Sequence, residues 1–347
     1  MIQTFTKIAL AQPDAVRDAL VGHLLDHDIA LSDCDGVVRA SLEHGEARIA
    51  LVDGSLRIDA SAATKSALGQ IAAFLASHVR EFAPADTQEI QWSGLSGAWL
   101  FPDFREMTVL RVRDLTPSMR RVTLTGADLA RFASPHDIHV RLYFPKVDAN
   151  PAWPTITANG QIADNDPTQA PDMRKYTIRR IDLATAEVDI DFVLHADAGP
   201  GSGWAQRAMP GLRLGMAGPG GRTAKTASWM LLAGDETALP AMARVLEGLP
   251  PATQGAVLIE TAHRSGRIEL ESPAGMVVHW LPRDGQAQGL AAAVLSIDVP
   301  ASGSRFCWAG AEFQAIQTIR GHWRHTCGLS KDEQLAVAYW RAGTSDY

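Results

Sequence analysis

The sequence predicts a multidomain protein in which a small α+β domain precedes an antiparallel β-barrel and a doubly wound, parallel α/β domain. Three observations support this prediction. A chain of 347 residues is too long for one ordinary core, its middle part reads as strands separated by turns, and its last part alternates short apolar runs with helical stretches. We place the domains at residues 1–95, 98–225 and 226–347.

Composition and charge describe a folded protein and exclude several classes of function. Hydrophobic residues make up 46% of the chain and charged residues 20%, and the net charge of -7 disfavours nucleic acid as a partner. No stretch reaches the roughly 18 apolar residues of a membrane span, and the N-terminus lacks a signal-peptide pattern, so we expect a cytoplasmic protein. Cys34, Cys307 and Cys327 form no CxxC pair, and we predict neither a disulfide nor a metal site.

The N-terminal segment combines two helical patterns with three strand-like runs. Residues 14–28 can form a helix, and the runs GVVRASL, ARIALV and SLRIDA follow it. Asp53-Gly54 separates the last two runs and predicts a hairpin. A second apolar stripe at helical spacing comes next: Leu68, Ile71, Ala72, Leu75, Val79 and Phe82. The expected order is helix, three strands, helix.

The middle segment follows a stretch that reads as a linker, with Pro84, Gly94, Gly97 and Pro102. Its strand-like runs are TVLRVRDL, RRVTLTG, IHVRLYFP, RKYTIRRID and EVDIDFVLH, and in the last one Val188, Ile190, Phe192 and Leu194 share a face. Six or so such strands predict a barrel. Residues 148–172 are rich in proline and are expected to form a long loop.

The last segment alternates strands with helices, as a parallel sheet requires. Its short apolar runs are WMLLAG, AVLIET, MVVHWL, RFCWAG and LAVAYW, as in strands buried on both faces. Helical stretches near 238–248, 286–295 and 311–326 separate most of them. This alternation predicts a doubly wound α/β domain.

The run from Arg174 to Arg179, RKYTIR, is the most informative motif in the chain. On a strand, Arg174, Tyr176 and Ile178 share one face and Thr177 lies on the other. The mononucleotide half of a flavin needs a cation for its phosphate, an aromatic surface for stacking and a hydroxyl or amide near its N5, and Arg-x-Tyr-Thr offers all three. A basic edge strand with a half-buried tyrosine would look the same, so this motif alone leaves both interpretations open.

A glycine-rich turn follows one strand later. The strand that ends at His195 leads into Gly199-Pro-Gly-Ser202-Gly203 and then into a helix through Trp204, for which Ser202 can serve as the N-cap. Exposed N–H groups at a helix start, with small residues that allow close approach, can hold a pyrophosphate. A plain turn into a helix is the alternative, and His195 alone would more often be structural.

The segment Gly234-Asp235-Glu236-Thr237-Ala238 ends the first strand of the predicted α/β domain and precedes its helix. In a doubly wound sheet, the crevice at the carboxyl ends of the strands is where dinucleotides bind. The Rossmann fingerprint GxGxxG is absent. Asp235-Glu236 could therefore instead be an acidic first turn that complements the helix macrodipole.

Taken together with GPGG at 218–221, LLAGDETALPAM and AYWRAG, these motifs resemble the siderophore-interacting ferric reductases of the vibriobactin-utilisation type. The resemblance covers residues 104–347 and keeps the family's order. It implies a flavin-binding barrel, a nicotinamide-binding α/β domain, FAD and NAD(P)H as cofactors, and a ferric siderophore as the final electron acceptor. The N-terminal domain resembles a small bacterial domain of unknown function sometimes fused to flavin reductases. None of the motifs lies in it, so we expect it to be dispensable for hydride transfer.

The resemblance also implies roles for single positions. The flavin strand is matched by Arg174, Tyr176, Thr177 and Ile178, the run beside the flavin by Asp191, Val193 and His195, and the phosphate-cradling turn by Gly201, Ser202 and Trp204. The nucleotide crevice is matched by Gly234, Asp235, Glu236, Thr237 and Ala238, with Thr237 between nicotinamide and flavin. The family often has alanine where this chain has Gly201, and glycine would make the cradle more flexible.

The substrate side of the predicted site lies near the C-terminus. Tyr339-Trp340-Arg341 match the strand end that reaches the flavin face beside the acceptor cleft, although ordinary packing aromatics would look the same. We expect an anionic acceptor, attracted by Arg341, Lys331 and the basic 174–180 strand. His263, Arg264 and Arg267 follow the strand AVLIET and favour NADPH, while Glu260 favours NADH.

The predicted function is therefore an NAD(P)H-dependent, FAD-containing ferric siderophore reductase that releases ferrous iron in the cytoplasm. One alternative is a ferredoxin or flavodoxin reductase with the same cofactors, which would have a protein as its redox partner. Another is a siderophore-binding or regulatory module in which the N-terminal segment is primary and reduction is secondary.

Overall fold

The computed structural model of the chain describes residues 1–26, 29–42, 45–86, 90–101, 103–159, 161, 163, 166, 168–195, 199–221, 223–284 and 289–344. The strands are β1 (Ile2–Ile8), β2 (Ala30–Cys34), β3 (Val37–Leu42), β4 (Gly45–Val52), β5 (Ser55–Ala62), β6 (Ala98–Leu100), β7 (Phe104–Thr116), β8 (Met119–Thr125), β9 (His139–Phe144), β10 (Thr155–Thr157), β11 (Asp172–Asp182), β12 (Glu187–Val193), β13 (Arg213–Gly220), β14 (Trp229–Asp235), β15 (Gln254–Thr261), β16 (Gly275–Pro282), β17 (Arg305–Glu312) and β18 (Gln334–Trp340). The α-helices are α1 (Pro13–Asp26), α2 (Lys65–Phe82), α3 (Pro200–Arg207), α4 (Leu239–Glu247), α5 (Leu290–Leu295) and α6 (Phe313–His325).

The chain folds into two compact units. The first consists of residues 1–102 and 151–170, and the second of residues 103–150 and 171–347. The second unit thus holds both the barrel and the parallel sheet that the sequence separates at residue 225. Among the helices that the structure describes, none is long and apolar enough to span a membrane.

The first unit is an antiparallel sheet of five strands in the order β1-β5-β4-β3-β2, with α1 and α2 packed on one face. The three predicted strands and the second helix are confirmed, and so is the first helix up to Asp26, since residues 27–28 of its predicted range lie outside the described residues. The sequence prediction missed β1 and β2, because β1 turns Thr4 and Thr6 toward the core where an apolar residue is expected, and β2 is largely exposed. The predicted hairpin is also confirmed, since Asp53 and Gly54 both have positive φ, at 49° and 69°.

Two segments predicted as linker and loop contribute to the first unit. Ile90 and Trp92 are buried in its core, at 4% and 5% exposure. Farther along, β6 pairs with β10 in antiparallel register, and Ala158 packs against the same core. The prediction of a loop throughout residues 148–172 is therefore wrong for β10, and the first unit extends beyond the predicted boundary at residue 95.

The second unit begins with a closed antiparallel barrel in the order β11-β12-β8-β7-β13-β9. The predicted alternation in β12 is confirmed: Val188, Ile190 and Phe192 are fully buried in the barrel core. The ring of Trp204, from α3, fills the same core. The other face of β11 and the start of α3 are thereby left for contact with a ligand.

The parallel sheet of the second unit has the order β16-β15-β14-β17-β18, and all five predicted strands are confirmed. The chain proceeds from β14 to β15 and β16 on one side and then returns to β17 and β18 on the other. The direction reverses between β14 and β17, which in sheets of this kind marks the ligand crevice. Met119 and Ile138 of the barrel segment share a core with Met230 and Leu239, so barrel and sheet pack together.

Candidate functional site

Strand β11 lies between β9 and β12 and directs its side chains to two environments. Tyr176 and Ile178 pack into the barrel core, and the Tyr176 ring lies 4.5 Å from that of Phe192, centroid to centroid. Thr177 is 4% exposed and lies opposite His139 in the strand register. Arg174 is half-buried, and its Nη1 donates to the carbonyl of Met173 at 2.7 Å. The predicted alternation of Tyr176 and Ile178 against Thr177 is confirmed.

The start of α3 is built against Tyr176. A Cβ on Gly201 would lie 2.1 Å from the Tyr176 hydroxyl oxygen, so only glycine fits while the ring keeps this place. A Cβ on Gly199 would meet nothing within 4 Å, which leaves open space in front of the helix. Glycine at position 201, which was expected to make the cradle more flexible, is therefore also required by packing.

Ser202 is not the N-cap of this helix. The helix begins at Pro200 with Gly199 as its cap, and no side chain bonds to the cap position. The Ser202 hydroxyl instead accepts from the backbone N–H of His195 at 3.2 Å. This bond ties the end of β12 to the first turn of α3. Trp204 lies in the barrel core at 1% exposure and not on the surface of the turn.

Asp191, which the sequence places beside the flavin, is engaged in a barrel ion pair. The Arg121 guanidinium donates to both of its carboxylate oxygens, at 2.6 and 2.8 Å, and the Asp191 side chain is 1% exposed. Both charges are thereby satisfied across the strand pair β8 and β12. Val193, two residues on, is half-buried opposite Met119, and His195 is exposed.

The turn after β14 is organised by one buried carboxylate. Oδ1 of Asp235 accepts from the backbone N–H and the hydroxyl of Thr237, at 2.9 and 2.5 Å, and Oδ2 accepts from Trp340 Nε1 at 2.7 Å. Burial raises the pKa of Asp235 even though these three hydrogen bonds act in the opposite direction. Next to it, Oε1 of Glu236 accepts from the hydroxyl of Ser118 at 2.8 Å. Both carboxylates of the acidic pair thus accept specific hydrogen bonds. Neither is a solvated charge in the first turn of a helix.

Close packing shapes the floor of this crevice. A Cβ on Gly234 would lie 2.8 Å from the carbonyl oxygen of Gly310, on the neighbouring strand β17. Ala238 is fully buried, and α4 begins one residue later. The two glycines thus let β14, β17 and the start of α4 pack closely where the sheet changes direction.

His139 connects the barrel strand to the last strand of the sheet. Its Nδ1 lies 3.3 Å from the Thr177 hydroxyl and its Nε2 lies 3.4 Å from the Tyr339 hydroxyl. Burial, with help from the positive charges of Arg244 and Lys175, lowers the pKa of His139 to about 4. Burial also raises the pKa of Tyr339, so both groups are neutral near pH 7. Thr177 and Tyr339, predicted to serve the same flavin, both contact this imidazole, and their hydroxyls also interact with each other.

The predicted substrate residues are only partly brought together. Tyr339 and Trp340 face the crevice through the contacts just described. The guanidinium of Arg341 lies over the ring of Phe313, 4.8 Å from its centroid. Lys331 lies in the turn before β18, whereas Tyr339 stands near the other end of that strand, so the structure does not bring Lys331 together with Tyr339 and Trp340.

The basic strand at 174–180 is partly neutralised. Arg179 forms an ion pair with Glu247 of α4, and Arg180 pairs with Asp182 at 2.8 Å. Lys175 is exposed, and within the described part of the chain it has no ion-pair partner. Lys175 is therefore the residue of this strand whose charge is left to attract an anionic acceptor.

Sequence reasoning missed His139, Ser118 and Arg121. Each makes its decisive contact with a residue at least 38 positions away, at Thr177, Glu236 and Asp191. Two features of the sequence point to such contacts. His139 is the first residue of a largely apolar strand, and Asp191 lies in a strand expected to be buried, where a carboxylate needs a cation as its partner.

The residues present fit a flavin dinucleotide. The first turn of α3 has backbone N–H groups without partners inside the helix, and the space in front of Gly199 is open. Arg174 supplies a cation on the adjacent strand, and Thr177 supplies a hydroxyl. The donors are of the kind that a pyrophosphate and a polar ring edge require.

Comparison with protein families assigns most of the chain. Residues 108–223 match the siderophore-interacting FAD-binding domain, and residues 227–343 match the siderophore-interacting protein model. Residues 6–93 match a family described as an uncharacterised protein conserved in bacteria (DUF2218).

Individual relatives agree with this assignment. The chain is 32% identical over 248 residues to the ferric vibriobactin reductase ViuB of Vibrio cholerae serotype O1, covering 70% of this chain and 91% of the relative. It is 33% identical over 247 residues to the NADPH-dependent ferric-chelate reductase of Escherichia coli K12, covering 69% and 93%. The crystal structure of the siderophore-interacting protein SipS from Aeromonas hydrophila superposes with a TM-score of 0.61 at 30% identity, covering 70% and 93%.

Proposed function

Because the chain belongs to the siderophore-interacting protein family, we propose that it is an NAD(P)H-dependent ferric siderophore reductase that works through bound FAD. One observation carries the proposal beyond family membership. The flavin strand and the end of the parallel sheet meet at His139, which contacts Thr177 of one and Tyr339 of the other. Two cofactor sites that must exchange a hydride need to adjoin in this way.

The barrel would hold the FAD. The N–H groups at the start of α3 and the Arg174 guanidinium would bind its phosphates, and the Thr177 hydroxyl would face the polar edge of its ring system. His195 and Ser202 support this cradle through their backbone-to-hydroxyl bond. When bound, FAD supplies the chemistry of accepting a hydride and passing electrons on singly.

The crevice from Gly234 to Ala238 would hold the nicotinamide nucleotide. Asp235 fixes both Thr237 and Trp340, so one buried carboxylate sets the position of two groups that line the nucleotide path. Glu236 anchors the turn to the barrel through Ser118. These contacts hold the turn after β14 in place beside the crevice.

The ferric siderophore is the proposed substrate, and Tyr339, Trp340 and Arg341 would border its cleft. Iron accepts electrons one at a time, and hard anionic oxygen ligands hold ferrous iron far less well than ferric iron. Reduction therefore releases the metal without any protein ligand for it. We also place the reaction in the cytoplasm, where reduced nicotinamide nucleotides are available.

Anaerobic reduction assays test this proposal. Purified protein should bind FAD non-covalently, losing the flavin on acid precipitation, and NADPH or NADH should bleach the flavin absorption. Adding a ferric siderophore should then restore the oxidised spectrum and yield ferrous iron, detectable with a ferrous-specific chelator. A protein that cannot be loaded with FAD contradicts the proposal. Reoxidation by ferredoxin or flavodoxin but by no ferric chelate would favour the protein-acceptor alternative.

A further inference from the structure

A chain of three side chains crosses from the sheet to the barrel at the point where the two cofactors would meet. Tyr339 contributes its hydroxyl, His139 both ring nitrogens and Thr177 its hydroxyl, with contacts of 3.4 and 3.3 Å. The Tyr339 ring meets the imidazole edge-on, at 84° and 5.7 Å between centroids. Both contacts lie at the long end of the hydrogen-bond range.

The chemistry of a neutral imidazole makes this chain directional. A neutral histidine has one N–H donor and one acceptor nitrogen, whereas each hydroxyl can do either. When Nε2 accepts from Tyr339, Nδ1–H must donate to Thr177, and the Thr177 hydrogen is then free to point away from the imidazole. With the other tautomer, Thr177 donates to Nδ1 and its oxygen can only accept from a further group. The tautomer of His139 therefore decides whether Thr177 has a hydrogen to donate, either to FAD or to the neighbouring Tyr339 hydroxyl, or only an oxygen that accepts.

We propose that His139 is a positioning residue for the flavin reaction, which directs the Thr177 hydroxyl toward FAD through its Nδ1 contact, while Tyr339 fixes the tautomer of the ring. The inference rests on the proposed function, because it needs a flavin beside Thr177. A flavin N5 changes from hydrogen-bond acceptor to donor when it is reduced. A group that can present either a donor or an acceptor at Thr177 is suited to both states.

Charge and burial around the imidazole favour this role over that of a proton donor. Arg244 and Lys175 both place positive charge near it, and its low pKa keeps it uncharged in neutral solution. Arg244 is itself fixed, since its guanidinium donates to the carbonyls of Ile178 and Ser134 at 2.9 and 3.2 Å. His139 therefore acts as a neutral hydrogen-bonding ring and not as a general acid in neutral solution.

Three substitutions separate the two contacts. His139→Asn keeps a polar atom near the position of Nδ1 and so preserves the contact with Thr177. His139→Gln places its amide near the position of Nε2 and preserves the contact with Tyr339. His139→Ala removes both. We expect the first-order rate of flavin reduction at saturating NADPH to stay within about threefold of the parent in His139→Asn and to fall about tenfold in the other two, as for one lost hydrogen bond.

Two further readouts distinguish positioning from a loss of folding. The Kd for FAD should remain within about threefold of the parent in all three variants, and so should the KM for NADPH. Nitrogen NMR of the histidine rings in the FAD-free protein should show His139 as one neutral tautomer, and Tyr339→Phe should remove that preference. The NMR arm does not depend on catalysis.

The outcomes are separable. A parent protein that binds no FAD overturns the proposed function, while a mixed or charged His139 ring overturns the inference whatever the flavin does. If FAD is bound and reduced, equal rates in His139→Ala and the parent overturn the inference alone. A drop in His139→Asn as large as in His139→Ala also overturns it, because the contact with Thr177 would then not be what matters.

Discussion

At the scale of single residues, Gly201 shows how a position that looks like a flexible turn is fixed by packing. The Tyr176 hydroxyl occupies the place of a Cβ at 2.1 Å, and Phe144 and Phe192 hold the ring from other sides. Rotating the ring away would disturb that aromatic cluster. The glycine is thus part of the barrel core as much as of the anion cradle.

Gly201→Ala should therefore be destabilising by about 1–3 kcal/mol, the usual cost of overpacking a buried site. It should also weaken FAD binding, because the first turn of α3 or the Tyr176 ring must shift. Gly199→Ala is the matched control, since its Cβ meets nothing within 4 Å and its φ of -67° suits alanine. Urea unfolding and flavin titration measure both effects. Unchanged stability in Gly201→Ala would show that the ring moves aside at little cost.

His139 predicts a pH dependence of stability. Its pKa is about 4 in the folded protein and 6.5 as the ordinary value. Between these values the unfolded chain binds more protons, so the free energy of unfolding should fall as the pH drops from 6.5 toward 4. Above pH 6.5 this contribution is constant.

His139→Asn should remove that contribution and give a shallower decline over the same pH window. Urea unfolding of the FAD-free protein at pH 7.5, 6 and 5 measures the difference from the parent. His136→Asn, an exposed histidine three residues away, is the control and should follow the parent curve. Parallel curves for the parent and His139→Asn would contradict the prediction.

At the scale of elements, we expect the end of β15 to select between NADH and NADPH. Glu260, the carboxylate that would select NADH, is already engaged: Arg283 donates to it at 2.9 Å, and so does the backbone N–H of Leu290, also at 2.9 Å. Arg264 and Arg267 in the following turn are exposed, and neither has an ion-pair partner among the residues described. Free cations beside an occupied carboxylate favour a 2′-phosphate.

We therefore expect NADPH to be the better donor. Replacing Arg264 and Arg267 together by alanine should lower kcat/KM for NADPH by about tenfold or more and leave NADH nearly unchanged, because each charge-assisted phosphate bond contributes about 1.5–3 kcal/mol. NADH serves as the internal control in stopped-flow reduction of the flavin. A parent preference of more than about tenfold for NADH would contradict this assignment of the turn.

At the scale of the whole molecule, the first unit is assembled from two parts of the chain. Residues 151–170 lie between barrel strands in sequence, yet β10 pairs with β6 and Ala158 packs on the N-terminal core. Removing the N-terminal residues alone would leave this segment without its partners. The insertion and the N-terminal domain have to be kept or removed together.

A variant that lacks residues 1–102 should accordingly express poorly or aggregate, because the apolar side chains of the insertion lose their cover. A second variant, which also has residues 151–170 replaced by a short Gly/Ser linker, should fold and retain FAD. The register supports this design, since Phe144 and Asp172 on either side of the insertion are direct partners. Hydride transfer from NADPH to flavin should stay within about threefold of the full chain. A folded second variant without FAD would show that the first unit completes the flavin site.

Local sequence pattern was enough to predict the elements whose burial shows in their own residues. One face is apolar along β12 and α2, and the five runs of the parallel sheet are apolar on both faces. The pattern did not predict β1, because threonines face the core from this strand. It did not predict β10 either, because three residues are too few to show an alternation. Both are strands only because a neighbour supplies their hydrogen bonds.

The motifs likewise indicated the family and the two cofactor segments, because the residues of each lie within a few positions of one another. Only the tertiary structure decided how those segments are joined. Asp191 is bound by Arg121, Asp235 by Trp340 and Tyr339 by His139, across 70, 105 and 200 positions of sequence. The physical reason is that a hydrogen bond or ion pair depends on distance in space, and sequence separation carries no information about which strand ends will meet.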